Sequence, residues 1–142
     1  MINNRNLSFL FGILFIISLF LTWINKFDYS LIEISRFAPS DFVKTVPQYM
    51  FVYMGFVFLL LGIISLLMNF ENKIRMARIA LYLVPLYFII VCVLNILEFE
   101  GDIIALYNSS FNIDLLRELG IGFYLFLISY VGFLKYLKIE KQ

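Results

Sequence analysis

LFLTWINKFDYSLIEISRF, residues 19–37, starts without a charge, passes one tryptophan, and then interleaves aromatic and aliphatic residues with charged ones. Its first part closes an uncharged run from Leu7 to Ile24, bounded by Arg5 and Lys26. A helix of about 20 apolar residues crosses a hydrocarbon core of about 30 Å. The run therefore predicts a membrane span, with Trp23 at its interfacial end, where an apolar ring and a polar N–H both find suitable surroundings. A cleaved signal peptide is not expected, because the run is long and no small-x-small site follows Thr22.

Working outward, three further uncharged runs recur, and the expected spans are about 7–24, 48–68, 79–97 and 119–137. Helices are the expected form, since lipid offers no partner for open backbone groups. The fold class predicted is an all-α membrane protein, a bundle of four transmembrane helices in one domain, 1–142. A small folded extracytoplasmic cap, with or without short β-strands, is expected from loops 25–45 and 98–118. Arg5, Lys73, Arg75, Arg78, Lys135, Lys138 and Lys141 fall on one side of these spans, against Lys26, Arg36, Lys44 and Arg117 on the other. Seven cations against four place both termini in the cytoplasm of a multi-pass protein of the plasma (inner) membrane.

Composition supports that class and excludes others. The 142 residues are 63% hydrophobic and 15% charged, against about 45–50% and about 25% in soluble domains. Mean hydropathy is +0.94. A net charge of +1 gives no basic field to gather nucleic acid. The chain has no histidine and a single cysteine, Cys92, so the usual general base, metal ligand and disulfide have no source. No phosphate loop, nucleophile elbow or zinc helix occurs. Neither an enzyme nor a cofactor is expected. The alternating Glu98, Glu100 and Asp102 read as a solvated acidic rim, and Asn108-Ser109-Ser110 is a glycosylation sequon.

Local signals sharpen the boundaries. Thr45-Val46-Pro47-Gln48 reads as a capping box that starts a helix near Val46. Asn112 or Asp114 is placed to cap the last helix. Pro85 should bend the third span. Asn95 is the deepest amide, suited to an interhelical hydrogen bond. Small residues fall in stripes at 100° per residue: Ser8, Gly12, Ser18 and Thr22 on span 1; Gly55, Gly62, Ser65 and Asn69 on span 2; Gly122, Ser129 and Gly132 on span 4. Such stripes let helix backbones approach in lipid, or line a pore in an oligomer.

Beyond Trp23, Phe27, Tyr29 and Leu31 alternate as in a half-buried strand, with a phase slip at Leu31–Ile32 that a bulge would absorb. A helix fits too, with Phe27, Leu31 and Ile34 at i, i+4, i+7. In either case an apolar face needs cover, and Ile103, Ile104, Leu106, Tyr107 and Phe111 of the second loop supply it. Trp23, Phe27, Tyr29 and Phe37 form the candidate interaction patch.

The stretch FLTWINKFDYSLIEISRF (20–37) and the Gly-x-Gly-aromatic entry GIGFYLFLISYVGFL (120–134) resemble small uncharacterised bacterial four-helix membrane proteins. The wider arrangement is similar to the claudin-like plan. Thr22 stands where the bacterial pattern has proline, and the claudin cysteine pair and Gly-Leu-Trp segment are absent. The resemblance therefore implies structural positions for Trp23, Gly120 and Gly122, and no activity. The function expected is that of a non-catalytic interaction or accessory subunit, with the bilayer and a protein partner or a second copy as its partners. The alternative is an oligomeric channel or membrane-perturbing effector whose pore is lined by small Ser and Gly residues.

Overall fold

The computed structural model describes residues 4–25, 28–37, 45–98 and 119–137. The described chain is mostly helical. In order it forms α1 (Asn4–Ser18), β1 (Thr22–Ile24), β2 (Tyr29–Ser30), α2 (Leu31–Phe37), α3 (Val46–Val52), α4 (Met54–Phe70), α5 (Ile74–Glu98) and α6 (Ile121–Tyr136). Among these, α5 holds a segment long and apolar enough to cross a membrane, Ile74–Leu94, with mean hydropathy 2.3. Helices α3 and α4 meet that criterion only as a pair bent by 55°, and α1 and α6 are shorter apolar helices.

Packing is antiparallel between neighbours. Phe11 stacks on Tyr136 near one end of the α1–α6 contact, while Phe15 meets Phe126 further along. Asn69 Nδ2 donates to Ser8 Oγ at 2.9 Å, tying the end of α4 to the start of α1. Ser65 on α4 reaches Ala77 on α5, and Phe58 lies edge-on to Tyr87, which fixes the same opposed sense for α4 and α5. Helix α1 packs most extensively on α6, and α5 touches α6 only lightly. One core cluster gathers Phe15, Leu19, Trp23, Leu31, Ile32, Met54, Phe58, Val84 and Phe126 at the hairpin end. The other, Ala77, Leu81, Phe133 and Leu137, fills the opposite end.

The first helix stops at Ser18, short of the Ile24 expected from the apolar run. Leu19 and Phe20 N–H groups bond back three residues, to Ile16 and Ile17, so the last turn tightens and the helix ends. The chain then pairs β1 with β2, Thr22 opposite Ser30 and Ile24 opposite Tyr29. Two steps on β1 oppose one on β2, so Trp23 is the extra residue of a bulge. The phase slip thus sits at Trp23 and not at Leu31–Ile32. The 27–37 ambiguity resolves into both forms, a strand at Tyr29–Ser30 followed directly by helix α2.

Helix α3 begins at Val46 with Pro47 in its first turn, as expected, but Thr45 makes no side-chain cap bond. Its hydroxyl is buried without a partner. The box forms elsewhere, at Ser30-Leu31-Ile32-Glu33. Ser30 N–H donates to Glu33 Oε2 at 2.8 Å, and Glu33 N–H donates to Ser30 Oγ at 3.1 Å. These bonds hold the Glu33 carboxyl below its ordinary pKa, the backbone bond from Ser30 contributing most.

The sharp break falls at Tyr53, while α5 runs through Pro85 as a single element. Each irregularity frees carbonyls, and each freed carbonyl has a partner. A continuous helix would hand Met50 O to residue 54 and Val52 O to residue 56. Instead Tyr87 Oη donates to Met50 O at 2.8 Å, and Ser35 Oγ donates to Val52 O at 2.6 Å. Proline at 85 leaves Leu81 O without its i+4 donor, and Tyr130 Oη donates to it at 3.3 Å. Between α4 and α5, Asn72 adopts a left-handed φ of 60°. Lys73 N–H reaches Met68 O at 2.8 Å and Asn72 N–H reaches Asn69 O at 3.2 Å, a Schellman closure.

Candidate functional site

Trp23 and Tyr29, two residues of the expected interaction patch, lie at the hairpin end, and Trp23 is the keystone of that end. The bulge turns the indole inward, where it is 8% exposed. Its Nε1 donates to Ser18 O at 2.7 Å, so a side chain five residues on satisfies a terminal carbonyl of α1. The ring lies edge-on to Phe123 at 5.5 Å and tilted against Phe126 at 5.0 Å. Trp23 was expected at the interface and in the partner-binding patch. Its burial corrects the second placement, because an indole enclosed by α1 and α6 presents no face to a partner.

Two glycines make room for that strand. Gly120 N–H donates to Trp23 O at 2.8 Å, and a Cβ at Gly120 would run into Thr22 O. A Cβ at Gly122 would lie 2.6 Å from Trp23 Cδ1 and 2.7 Å from Leu21 O. Close approach of backbone to ring and carbonyl is what requires glycine here. Helix α6 takes Gly120 as its N-cap, with no side-chain cap bond. Asn25 Nδ2 donates to Leu119 O at 3.3 Å, and Ile24 bridges Leu119, so the hairpin is stitched to the entry of α6.

Tyr29 is the part of the patch that faces out, with 44% of its surface exposed. Phe27 and the Phe37 side chain lie outside the described residues. Thr22 was expected in the span 1 stripe, but helical arithmetic does not extend past Ser18. It sits on β1, where its hydroxyl donates to Asp28 Oδ1 at 2.9 Å. Asp28 holds a left-handed φ of 53° at the hairpin turn.

The remaining small residues lie buried between helices: Ser8, Gly12 and Ser18 on α1, Gly55, Gly62 and Ser65 on α4, and Gly122, Ser129 and Gly132 on α6. Their serines are at most 1% exposed. Each hydroxyl donates to a helix carbonyl: Ser8 to Arg5 O, Ser18 to Phe15 O, Ser129 to Phe126 O, and Ser65 across to Ala77 O at 3.0 Å. Within one copy these groups lie buried in the contacts between helices.

Among the described residues, no three His, Cys, Asp or Glu side chains gather to hold a metal ion. Glu100, Asp102, the 108–110 sequon, Asn112, Asp114 and the apolar residues Ile103 to Phe111 of the second loop lie outside the described residues, as do the side chains of Asn95 and Glu98. The capping box at Ser30 and the hydroxyl partners Ser35, Tyr87 and Tyr130 were missed from sequence. The Ser-x-x-Glu spacing was a readable signal for the first. No family model matches the chain, and neither a curated protein nor a solved structure does.

Proposed function

We propose that this chain is a multi-pass integral membrane protein whose helices α1, α3–α4, α5 and α6 are four spans with both termini in the cytoplasm. It acts as a non-catalytic accessory subunit that meets its partner through the surface around Tyr29. The observation that carries the membrane reading is an inversion of side-chain chemistry. Leu10, Ile13, Leu60, Leu67, Leu86, Ile89, Ile128 and Val131 stand exposed, while Ser8, Ser18, Ser65 and Ser129 are enclosed. A water-soluble chain hides the first set first, since exposed apolar patches larger than a few hundred Å² are rare in such monomers. In lipid the exposed set needs no cover, and small residues inside let the helices close up.

Helices α1 and α6, with 15 and 16 residues, reach about 22–24 Å at 1.5 Å per residue. The hairpin makes up the difference on this reading, because Leu19, Trp23, Leu31 and Ile32 carry the core past the helix ends. Tyr29 is the exposed aromatic on a hairpin pinned by Trp23, Asn25 and the Ser30–Glu33 box. Such a rigid platform favours recognition, since little order has to be bought on binding.

Two experiments test this. Single cysteines introduced as Asn72→Cys and Asn108→Cys, in a Cys92→Ser background, should label from the cytoplasmic and outer sides respectively. Reversed labelling would sink the topology. A photoreactive group replacing Tyr29 should cross-link to one protein species in native membranes, a second copy included. Absence of any defined adduct would refute the interaction surface. Ion flux from liposomes holding the native assembly, blocked by Ser18→Leu or Ser65→Leu in a chain that still folds, would replace the accessory reading with the channel alternative.

A further inference from the structure

The end of the molecule away from the hairpin carries a charge imbalance. Arg5, Lys73, Arg75, Arg78 and Lys135 stand there, and Glu71 is the single acid among the described residues of that end. Glu71 is already committed to Lys73 at 2.6 Å. Arg5 Nη2 donates to Phe70 O at 3.1 Å, which holds it at the close of α4. Lys135 Nζ sits 5.7 Å from the Tyr136 ring centroid. Arg75 and Arg78 are different. Three residues apart, they share one side of the first turns of α5. Neither makes an ion pair with a described residue.

Arg78 is the telling member. Its Nε is buried and has no hydrogen-bond partner. A guanidinium N–H removed from water without an acceptor is costly, more so than a neutral group. Arginine's planar fork matches the oxygens of a phosphate, and is the usual choice where an anion is held in two places. The one acid among the described residues of this end, Glu71, is held by Lys73, which leaves the guanidinium forks open to an anion from outside the chain.

We propose that Arg75 and Arg78 form a binding site for the phosphate of an anionic phospholipid in the cytoplasmic leaflet. The inference rests on the membrane reading and adds to it the lipid class and the residues that recognise it. Position and charge both commit it to lipid. The apolar flank of α5 just above, Ile79, Tyr82, Leu83 and Leu86, is exposed along the path that acyl chains would take. Basic residues next to a span attract anionic headgroups by about fivefold each near the surface. Unlike Arg5, Lys73 and Lys135, this pair has no described hydrogen bond, ion pair or ring contact to give up when a phosphate arrives.

Native mass spectrometry of the chain released from vesicles of equal phosphatidylcholine and phosphatidylglycerol tests the site. The natural chain should retain phosphatidylglycerol in preference, and Arg75→Gln/Arg78→Gln should lower that preference about twenty-five-fold. Lys73→Gln should leave it nearly unchanged, since that ammonium is held by Glu71. Arg78→Lys keeps the charge but not the fork, and should retain less than the natural chain. Equal retention of both lipids, or full retention by the double variant, overturns the proposal. Displacement of the lipid by excess inorganic phosphate would reassign the site to the free anion and overturn it as well. A chain washed from the vesicles by alkaline carbonate overturns the membrane reading together with this one. A chain that stays embedded without lipid preference overturns this one alone.

Discussion

Two helix pairs in this molecule are closed by opposite means. Helices α1 and α6 meet where side chains are missing: Gly12 faces Phe133 as well as Leu66 of α4, Gly132 faces Phe11, and Gly122 faces Ser18 O and the Trp23 ring just past α1. Their serines bond within their own helix. Helices α4 and α5 meet through hydroxyls that cross from one to the other or to α3, with Ser65 on Ala77 O and Tyr87 on Met50 O. The first pair is regular and limited by size. The second is irregular, broken at Tyr53 and carrying Pro85 inside α5, and Tyr87 supplies the donor that Met50 O has lost at the break. In a medium without water, a helix tolerates a break only where a neighbour satisfies the freed groups.

The size-limited pair should be the easier to wreck. Gly122→Val places methyl groups against Trp23 and the Leu21 carbonyl, neither of which has room to withdraw. It should cost about 3 kcal/mol or more, read as a lowered midpoint in detergent or denaturant unfolding. Tolerance of valine would mean that α1 and α6 do not approach as described.

Next in size is Trp23→Phe. It removes the shorter of two bonds to Ser18 O, leaving the one from Leu21 N–H at 3.4 Å, and opens space beside Phe123 and Phe126. A loss of about 2 kcal/mol is expected, with faster amide exchange across Thr22–Ile24 and the start of α6. Unchanged exchange there would show that the hairpin does not depend on the indole.

The hydroxyl-stitched pair should respond more mildly. Ser65→Ala deletes one interhelical bond and leaves Ala77 O with its own helical partner, so about 0.6 kcal/mol is expected. A loss several times larger would show that hydroxyls, and not close packing, dominate α4–α5 as well. Tyr130→Phe gives the matching test at Pro85, and its effect should exceed that of Ser65→Ala because the proline has already removed the i+4 donor of Leu81 O.

The smallest effect concerns the Ser30–Glu33 box. Glu33 has a folded pKa below its unfolded value, which is about 4.3. Its contribution is therefore complete above the unfolded value and is lost as pH falls through the lower folded one. Amide protection in Leu31–Phe37 should decline across that acidic window in the natural chain. Glu33→Gln should flatten the decline while keeping the cap geometry. A pH-independent natural chain would show that the carboxylate does not hold α2.

How much of this was legible in the sequence follows the same division. Uncharged runs located α1, α3–α4, α5 and α6 but not α2, because a helix buried in lipid or core has few other ways to satisfy its backbone. The 100° spacing of Ser8, Gly12, Ser18, Gly55, Gly62, Ser65, Gly122, Ser129 and Gly132 put them on shared faces, and those faces are buried. The end of α1 was not legible. Leu19 to Ile24 is as apolar as the helix before it, and the indole that caps Ser18 O acts through a contact no local pattern records. The break at Tyr53 was hidden for the same reason, since its carbonyls are satisfied by Ser35 and Tyr87 from other elements. The box at Ser30 was legible. Thr45-x-x-Gln48 has the same spacing and a proline besides, but its threonine hydroxyl makes no cap bond.

The central claim is that the exposed leucines and isoleucines face lipid. Nitroxide labels at Leu60, Leu86 and Ile128, with a fourth at Glu71, all in a Cys92→Ser background, test it in reconstituted bilayers. Collision rates with oxygen, which concentrates in the hydrocarbon, and with a water-soluble nickel complex give the answer. The account predicts high oxygen and low nickel access at Leu60, Leu86 and Ile128, and the reverse at Glu71. Nickel access at those three sites equal to that at Glu71 would contradict it.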